Sequence, residues 1–269
     1  MRRPRPASLV TTFTVRHDTL MIDLGKRMTI LSSAPRGGGL VRARYILNHQ
    51  VPADIVQPVA VSRPSSKQVW GDPGRYLGQL ATRLGMGSPC VALMTAVSLK
   101  HLVTLREESS GIWVEGFFTV GVSNAVRAGE PNGAIERDAE SSTLGTINII
   151  LITNARLAIP AMVGAVQVAT ESKTATLLAE SVPSWTGGHG ATGTGTDAIV
   201  MVNGDGPACR YSGTHTTMGE LIGRVVARGV LSGLLRYRQW ALQSMVRERS
   251  RRHSTRLVNR SDGKNHPPR

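Results

Sequence analysis

Hydrophobic residues in the first half of the chain recur in short runs of strand length, each bounded by polar or glycine residues. Runs of this kind between turn-forming residues are typical of β-strands and hairpins. The runs that fit the pattern are Thr11–Val15, Thr19–Leu24, Met28–Ser32, Leu40–Ile46, Val91–Val97, Leu102–Glu107 and Ile112–Val120. Their spacing predicts a small antiparallel meander near the start of the chain, followed by further strands of a sheet.

One short amphipathic helix interrupts these strands. Asp72 can cap its N-terminus, Pro73 suits its first position, and Gly85 follows its last turn. Its apolar face consists of Tyr76, Leu77, Leu80 and Leu84. The stretch before it, residues 54–72, is rich in proline and serine and lacks periodicity, which predicts an irregular segment on the surface.

The run Thr146–Thr153 is almost continuously apolar, which is typical of a strand covered on both faces. It therefore predicts a central strand. A helix is predicted after it, with Asn154 as its cap, Pro160 near its first turn and an end near Leu178.

That helix is apolar nearly all round, which predicts that it is buried. At about 100° per residue, Glu171 and Lys173 lie on two different faces near the same end. Because an unpaired buried charge costs at least several kcal/mol, each requires a partner or a chemical task.

A short strand, Ala198–Val202, and a long helix from His215 to about Met245 complete the pattern. Hairpins with helices clustered late predict an α+β fold. We expect one domain, residues 1–245, with a mixed and largely antiparallel sheet, a buried central helix and a long C-terminal helix. Residues 246–269 are predicted to form a basic, disordered tail, and the sheet order is left open.

The formal charge of +14 is concentrated at the two ends of the chain. Residues 236–269 contain ten Lys and Arg against two Asp and Glu, and three arginines lie within the first five residues. The tail is interpreted as a solubilising extension, with attraction to nucleic acid or an anionic membrane as the alternative. A nucleic-acid module would show salt-dependent binding that is lost on truncation after Arg236. With aromatics at only 4%, we do not expect nucleic acid as a partner.

Several other classes are also disfavoured. Only Cys90 and Cys209 are present, without the spacing of a disulfide framework or a cysteine zinc site. The start of the chain lacks a signal-peptide core, and no apolar run is long enough to cross a bilayer. A cytoplasmic enzyme without membrane insertion, cofactor or metal is predicted, and homo-oligomer formation is left open.

Four polar, glycine-containing segments fall at strand ends or helix starts, where site residues usually project. They are Gly121–Ala125, Gly145–Asn148, Ala191–Asp197 and Gly213–Thr216. Taken singly, each can be explained as a turn or a cap. Ala191–Asp197 is the strongest candidate, because alternating Thr and Gly residues exceed what a turn requires.

A hydrolytic arrangement can be built from these segments. His215, at a predicted helix N-terminus, is our candidate general base, with Asp197 as its orienting partner. Thr194 and Thr196 are placed around the oxyanion, where a Thr or Ser hydroxyl could instead be the nucleophile. Glu171, paired with Lys173 or Arg224, is expected to support them.

The same segments resemble, in order, the motifs of the adenosylcobinamide amidohydrolase family, from about Leu31 to Arg224. They are Leu31–Pro35 with Gly37–Gly39, Asn48–Pro52, Gly121–Ala125 with Arg127 and Gly129, Gly145–Ile149, Ala169–Thr174, Ala191–Ala198, and Gly213–His215 with Gly219–Arg224. Seven motifs in order make the resemblance specific.

The resemblance implies an enzyme of vitamin B12 salvage. Such an enzyme hydrolyses the aminopropanol amide of adenosylcobinamide to give adenosylcobyric acid, which re-enters cobalamin biosynthesis. The expected partner is therefore a corrinoid, whose peripheral amides suit hydroxyl and amide side chains. Candidate substrate-binding residues are Asn48, Ser123, Asn124, Thr146, Asn148, Lys173 and Thr192. The alternative is a corrinoid-binding protein that has lost catalysis.

Overall fold

The computed structural model describes residues 10–51, 72–87, 89–131, 145–187 and 189–262, with side chains described as far as residue 243. The predicted irregular segment 54–72 lies outside this range except for Asp72, as do the N-terminal arginines. Within the described helices, none combines the length and apolar character that crossing a membrane requires.

Twelve strands are present in the described part of the chain. They are β1 Phe13–Arg16, β2 Thr19–Ser32, β3 Gly39–Gln50, β4 Cys90–Thr95, β5 Val103–Ser109, β6 Ile112–Val120, β7 Ala125–Val126, β8 Ile147–Thr153, β9 Arg156–Leu157, β10 Gly193–Thr194, β11 Ala198–Val202 and β12 Ala208–Cys209. The two runs predicted between Thr19 and Ser32 form one strand, with an irregularity in its pairing between Asp23 and Met28.

The main sheet is mixed, and its strand order is β4-β3-β2-β11-β8-β6-β5, with β1 paired to β2. The pairs β3–β4 and β8–β11 are parallel, whereas the other neighbours are antiparallel. Strand β8 is buried at every position between β11 and β6, which confirms it as a central strand. Two short ladders, β7–β10 and β9–β12, lie outside the main sheet.

One face of the sheet, the inner face, carries a buried cluster of its own. Leu20, Ile22 and Ile46 share one buried cluster with Ile150 and Val200 of the central strands. The inner face therefore forms a second core, to which no α-helix of the described residues contributes a side chain.

Three helices complete the fold: α1 Pro73–Arg83, α2 Ile159–Ala179 and α3 Thr217–Asp262. Helix α1 packs on β3 and β4, whereas α2 and α3 share the core on the outer face of the central strands. Asp72 caps α1 as predicted, by accepting a hydrogen bond from Arg75 N (2.9 Å). The α+β class and the long C-terminal helix are confirmed.

Two helix boundaries differ from the prediction. Asn154 does not cap α2; its side chain accepts from Trp113 N (2.9 Å) and donates to the carbonyl of Gly111 (2.9 Å), which anchors it to the β5–β6 hairpin. Helix α2 begins five residues later at Ile159, with Pro160 in its first turn. Helix α3 extends past Met245 to Asp262, and the division into a domain and a tail at residue 245 stays a prediction.

Candidate active site

Three of the four glycine-containing segments meet at one edge of the sheet. Strand β6 ends there, and the parallel neighbours β8 and β11 both begin there. Gly121 N donates to the carbonyl of Thr146 (3.0 Å), and Thr194 pairs with Ala125 in the β7–β10 ladder. The topology thus brings together residues that lie far apart in the sequence.

The carboxylate of Asp197 is the centre of this edge. Its Oδ1 accepts from Thr194 Oγ1 (2.5 Å) and Ile147 N (3.0 Å), and its Oδ2 accepts from Thr194 N (3.1 Å) and Lys173 Nζ. Two of these donors belong to its own loop, one to β8 and one to α2. Asp197 therefore joins three elements and fixes the conformation of the loop before β11.

Lys173 reaches this carboxylate from helix α2. The side chains of Lys173 and Asp197 are 8% and 12% exposed, so the ion pair lies mostly out of solvent. Lys173 lies on the buried face of α2 with Ala169 and Leu177, whereas Glu171 is on the exposed face. The periodicity correctly separated the two charges, and only Lys173 is buried.

Gly193 makes room for the pair. A Cβ at this position would lie 2.5 Å from Asp197 Oδ2 and 2.8 Å from Lys173 Nζ, closer than real Cβ contacts occur. Gly195, two residues later, is exposed and has no atom within 4 Å of its Cβ position. The close contact with the ion pair therefore requires glycine at position 193 but not at position 195.

Threonine hydroxyls hold the rest of the loop. Thr196 Oγ1 donates to Thr146 Oγ1 (3.0 Å), which in turn donates to the carbonyl of Thr196 (2.9 Å). Thr192 Oγ1 accepts from Ala128 N (2.9 Å), and Thr174 Oγ1 donates to the carbonyl of Thr192 (3.1 Å). Thr196 is exposed, whereas Thr146 is buried.

A buried amide cluster lies on the inner face beside Thr146. Asn148 Nδ2 donates to the carbonyl of Met94 (2.7 Å) and to Asn48 Oδ1 (3.0 Å), and Asn48 Nδ2 donates to Thr119 Oγ1 (3.1 Å). Both N–H donors of Asn148 are thus used, and its buried Oδ1 accepts no hydrogen bond from a described residue. The cluster offers one unused acceptor.

Ser123 and Asn124 lie on the loop that follows β6. Ser123 is exposed, and the Oδ1 of Asn124 is buried without a partner in the described part of the chain. A Cβ at Gly145 would lie 2.7 Å from this oxygen and 2.8 Å from Ser123 N. This contact places Ser123 and Asn124 against the segment that precedes β8.

His215 and Glu171 lie outside this assembly. His215 is exposed before helix α3 and forms no hydrogen bond with a described residue, so the structure does not pair it with Asp197. The acceptor positions of Asp197 are instead occupied by Lys173, Ile147 and Thr194.

The expected pairing of Glu171 with Lys173 or Arg224 is also absent. Glu171 accepts from Gln167 (3.0 Å), and Arg224 pairs with Glu220 one turn away on α3. Glu171, Glu220 and Arg224 line a separate, open surface cavity of about 400 Å³ between α2 and α3. The fourth glycine-containing segment borders it through Thr214.

Some residues of the edge were missed by the sequence reasoning. Thr119 is fully buried beside Asn148 and accepts from Asn48, and Thr174 holds the loop at Thr192. A hydroxyl within the apolar strand Ile112–Val120 was the available signal for Thr119. Within the described ranges, no group of three or more His, Cys, Asp or Glu side chains could hold a metal ion.

Comparison with known proteins identifies the family. The family model described as adenosylcobinamide amidohydrolase matches residues 6–241. The chain belongs to the adenosylcobinamide amidohydrolase family. The predicted resemblance is therefore confirmed, and the family name denotes hydrolysis of an amide.

Two proteins are similar to this chain in sequence, and one solved structure aligns with it. An uncharacterized protein of Methanocaldococcus jannaschii is 32% identical, over 81% of this chain and 86% of that protein. An adenosylcobinamide amidohydrolase of Methanosarcina mazei is 29% identical, over 73% of this chain and 86% of that protein. A β-aminopeptidase of a Burkholderia species aligns in structure over 82% of this chain and 79% of its own, with 14% identity and a TM-score of 0.39.

Proposed function

We propose that this protein is a cytoplasmic enzyme that hydrolyses the amide between the corrin ring's propionate arm and aminopropanol in adenosylcobinamide. The products are adenosylcobyric acid and free aminopropanol, and the acid returns salvaged cobinamide to cobalamin biosynthesis. Family membership over residues 6–241 supports amide hydrolysis. The name of the Methanosarcina mazei relative supports this particular substrate.

The observation that carries the proposal is the convergence of three motif segments around the Lys173–Asp197 pair. An ion pair kept largely out of water costs desolvation energy, so its place beside an exposed Thr-Gly loop favours a chemical role. We place Asp197, Lys173, Thr194, Thr196 and Thr146 in the active site. His215 and Glu171 are not part of it in this proposal.

The groups around the loop suit a corrinoid substrate. Peripheral carboxamides of a corrin ring both donate and accept hydrogen bonds. Exposed hydroxyls at Ser123 and Thr196 can serve either purpose. We propose that this surface holds the ring edge while the scissile arm enters beside the loop.

The test is incubation of the purified protein with adenosylcobinamide, followed by mass spectrometry for adenosylcobyric acid. Asp197→Asn is expected to lower turnover by about 100-fold, because loss of this anchor displaces the loop and Lys173. Asp205→Asn is a matched control, since Asp205 is an exposed aspartate at the opposite end of β11.

Three other results would change the conclusion. Tight corrinoid binding without product from the wild type would indicate a binding protein rather than an enzyme. Full turnover by Asp197→Asn would remove the ion pair from the active site. Loss of turnover in His215→Ala but not in Asp197→Asn would return the general base to His215.

A further inference from the structure

We infer that Lys173 is the group that binds the carbonyl oxygen of the scissile amide and stabilises the negative charge that develops on it. The inference rests on the proposed amide hydrolysis and assigns a catalytic role within that site. Four features of the structure support it: the burial of the ammonium, the occupied acceptors of Asp197, the spare donors of Lys173 and the bare backbone at Gly193.

The first feature is the burial of the lysine. Helix α2 carries Lys173 on the face that packs on the sheet, and only 8% of its side chain is exposed. Replacing both members of a buried ion pair with apolar residues of similar size is often neutral or stabilising, so the pair is weak evidence for a purely structural role. Placement of an ammonium at a site edge is instead typical of electrostatic catalysis.

The second feature is that Asp197 has little capacity left to act as a base. A carboxylate has about four positions for accepting hydrogen bonds. Thr194 occupies two of them, and Ile147 and Lys173 occupy the others. Asp197 therefore acts as a positioning residue that holds both the loop and the ammonium.

The third feature is that Lys173 has donors to spare. An ammonium has three N–H donors, and among the described residues only Asp197 accepts from Lys173. An amide carbonyl oxygen can accept such a bond in the ground state. The bond strengthens when a nucleophile attacks, because the carbonyl π electrons move onto that oxygen.

The fourth feature is the closeness of the ammonium to the loop backbone at Gly193. The position that a Cβ would occupy there is 2.8 Å from Lys173 Nζ, and the loop becomes exposed two residues later at Gly195. The bare backbone thus lets the ammonium lie against the Thr-Gly loop, two residues from its exposed part.

The reaction balances without net proton transfer by Lys173. A water oxygen bonds to the carbonyl carbon, and the oxyanion that forms is held by the ammonium. When the carbonyl re-forms, the C–N bond breaks, and both protons of the water leave on the nitrogen of aminopropanol as an ammonium group. The acid product retains the water oxygen as part of its carboxylate.

The test compares Lys173→Met with Lys100→Met, a matched control at an exposed lysine. Lys173→Met is expected to lower kcat by about 10²–10³-fold with KM changed by less than about threefold, since the bond matters most in the transition state. Thermal unfolding of both variants measures their folding. A Lys173→Cys variant alkylated with 2-bromoethylamine, which rebuilds a lysine-like ammonium, is expected to regain turnover.

Wild-type protein treated with the same reagent controls for alkylation of Cys90 and Cys209. Wild-type kcat in Lys173→Met would overturn the inference, as would an effect confined to KM or a failure of alkylation to restore turnover in Lys173→Cys. Each of these results requires an active wild type. A wild type that gives no product overturns the proposed function itself, so the two failures are distinguishable.

Discussion

At the scale of single residues, Gly193 decides whether the ion pair can form. An alanine there would place its Cβ 2.5 Å from Asp197 Oδ2 and 2.8 Å from Lys173 Nζ. Because neither charged group can withdraw without losing its partner, we expect Gly193→Ala to separate them. A displacement of about 1 Å lowers turnover by about 100-fold, and this loss would appear in kcat for adenosylcobinamide.

Gly195 provides the matched control for this substitution. It belongs to the same Thr-Gly segment and is exposed, with no atom within 4 Å of its Cβ position. Gly195→Ala is therefore expected to stay within about threefold of wild-type kcat. Equal losses in both variants would show that the segment responds to any added methyl group and that the contact with the ion pair is not the cause.

Sequence patterns located the residues of the loop but not their partners. Alternating threonine and glycine marked Thr194, Thr196 and Asp197, because a turn does not require this composition. The helical period placed Glu171 and Lys173 on different faces, but an almost uniformly apolar helix does not reveal which face is buried. His215 was grouped with Asp197 on chemical type alone, and spacing along the chain contains no information about which loops meet.

At the scale of elements, the close approach of helix α3 to strand β6 depends on glycine. A Cβ at Gly229 would lie 2.3–2.5 Å from ring atoms of Phe118, which is fully buried. We expect Gly229→Ala to lower the free energy of unfolding by about 1–3 kcal/mol, because the ring and the helix must separate in a close-packed core. Urea unfolding followed by circular dichroism measures this change.

Gly223 lies on the same helix, and we expect its replacement by alanine to raise the free energy of unfolding. Its Cβ position has no atom within 4 Å, so alanine there adds no clash. Relative to glycine, alanine in a helix stabilises by about 0.5–1 kcal/mol. A stabilising Gly229→Ala would contradict the packing argument, whereas a stabilising Gly223→Ala would support the contrast.

Element types were predictable where the local pattern was unambiguous. Strand β8 is apolar over its whole length, and its burial on both faces follows directly. The cap of α1 also follows, since Asp72 and Pro73 have no competing role. Asn154 was misassigned because its amide binds a distant hairpin at Trp113, and a side chain's tertiary partner is not encoded in the neighbouring residues.

At the scale of the whole molecule, the strand order of the sheet could not be predicted from local sequence patterns. Strand β2 is paired with β11, so Ser32 lies opposite Val200. This pairing lies at the centre of the sheet and joins the two ends of the domain. The fold class was still predictable, because hairpins followed by late helices restrict the architecture to α+β.

The pH dependence of stability is also a property of the whole molecule, and we expect the buried His49 and the partly buried His101 to determine it near neutrality. His49 shares hydrogen bonds with Thr19 Oγ1 (2.9 Å) and the Tyr76 hydroxyl (3.0 Å), linking β3 to β2 and α1. Burial lowers the pKa of His49, and burial also lowers that of His101. The neutral imidazole is therefore the form that the fold stabilises.

The sign of the effect follows from proton uptake. As pH falls through about 6.5, the ordinary pKa of histidine, the unfolded chain binds protons that the folded protein does not. The stability contributed by neutral His49 and His101 is thus complete above this pH and is lost towards their lowered folded pKa values. The hydrogen bond with Arg44 lowers the pKa of Asp23. Burial raises the pKa of Glu130, but hydrogen bonds from the Thr186 and Ser184 hydroxyls outweigh this effect, so that this pKa is also lowered. Their contribution is lost only at more acidic pH.

We therefore expect the free energy of unfolding to be lower at about pH 5.5 than at about pH 7.5. The substitution His49→Gln is expected to reduce this difference, and the difference that remains is attributed to His101. Urea unfolding at the two pH values measures both quantities. His215→Gln is the matched control, because His215 is exposed and bonds to no described residue. If His49→Gln kept the full wild-type difference, the neutral imidazole between Thr19 and Tyr76 would not be its source, and the acid sensitivity would have to arise elsewhere in the fold.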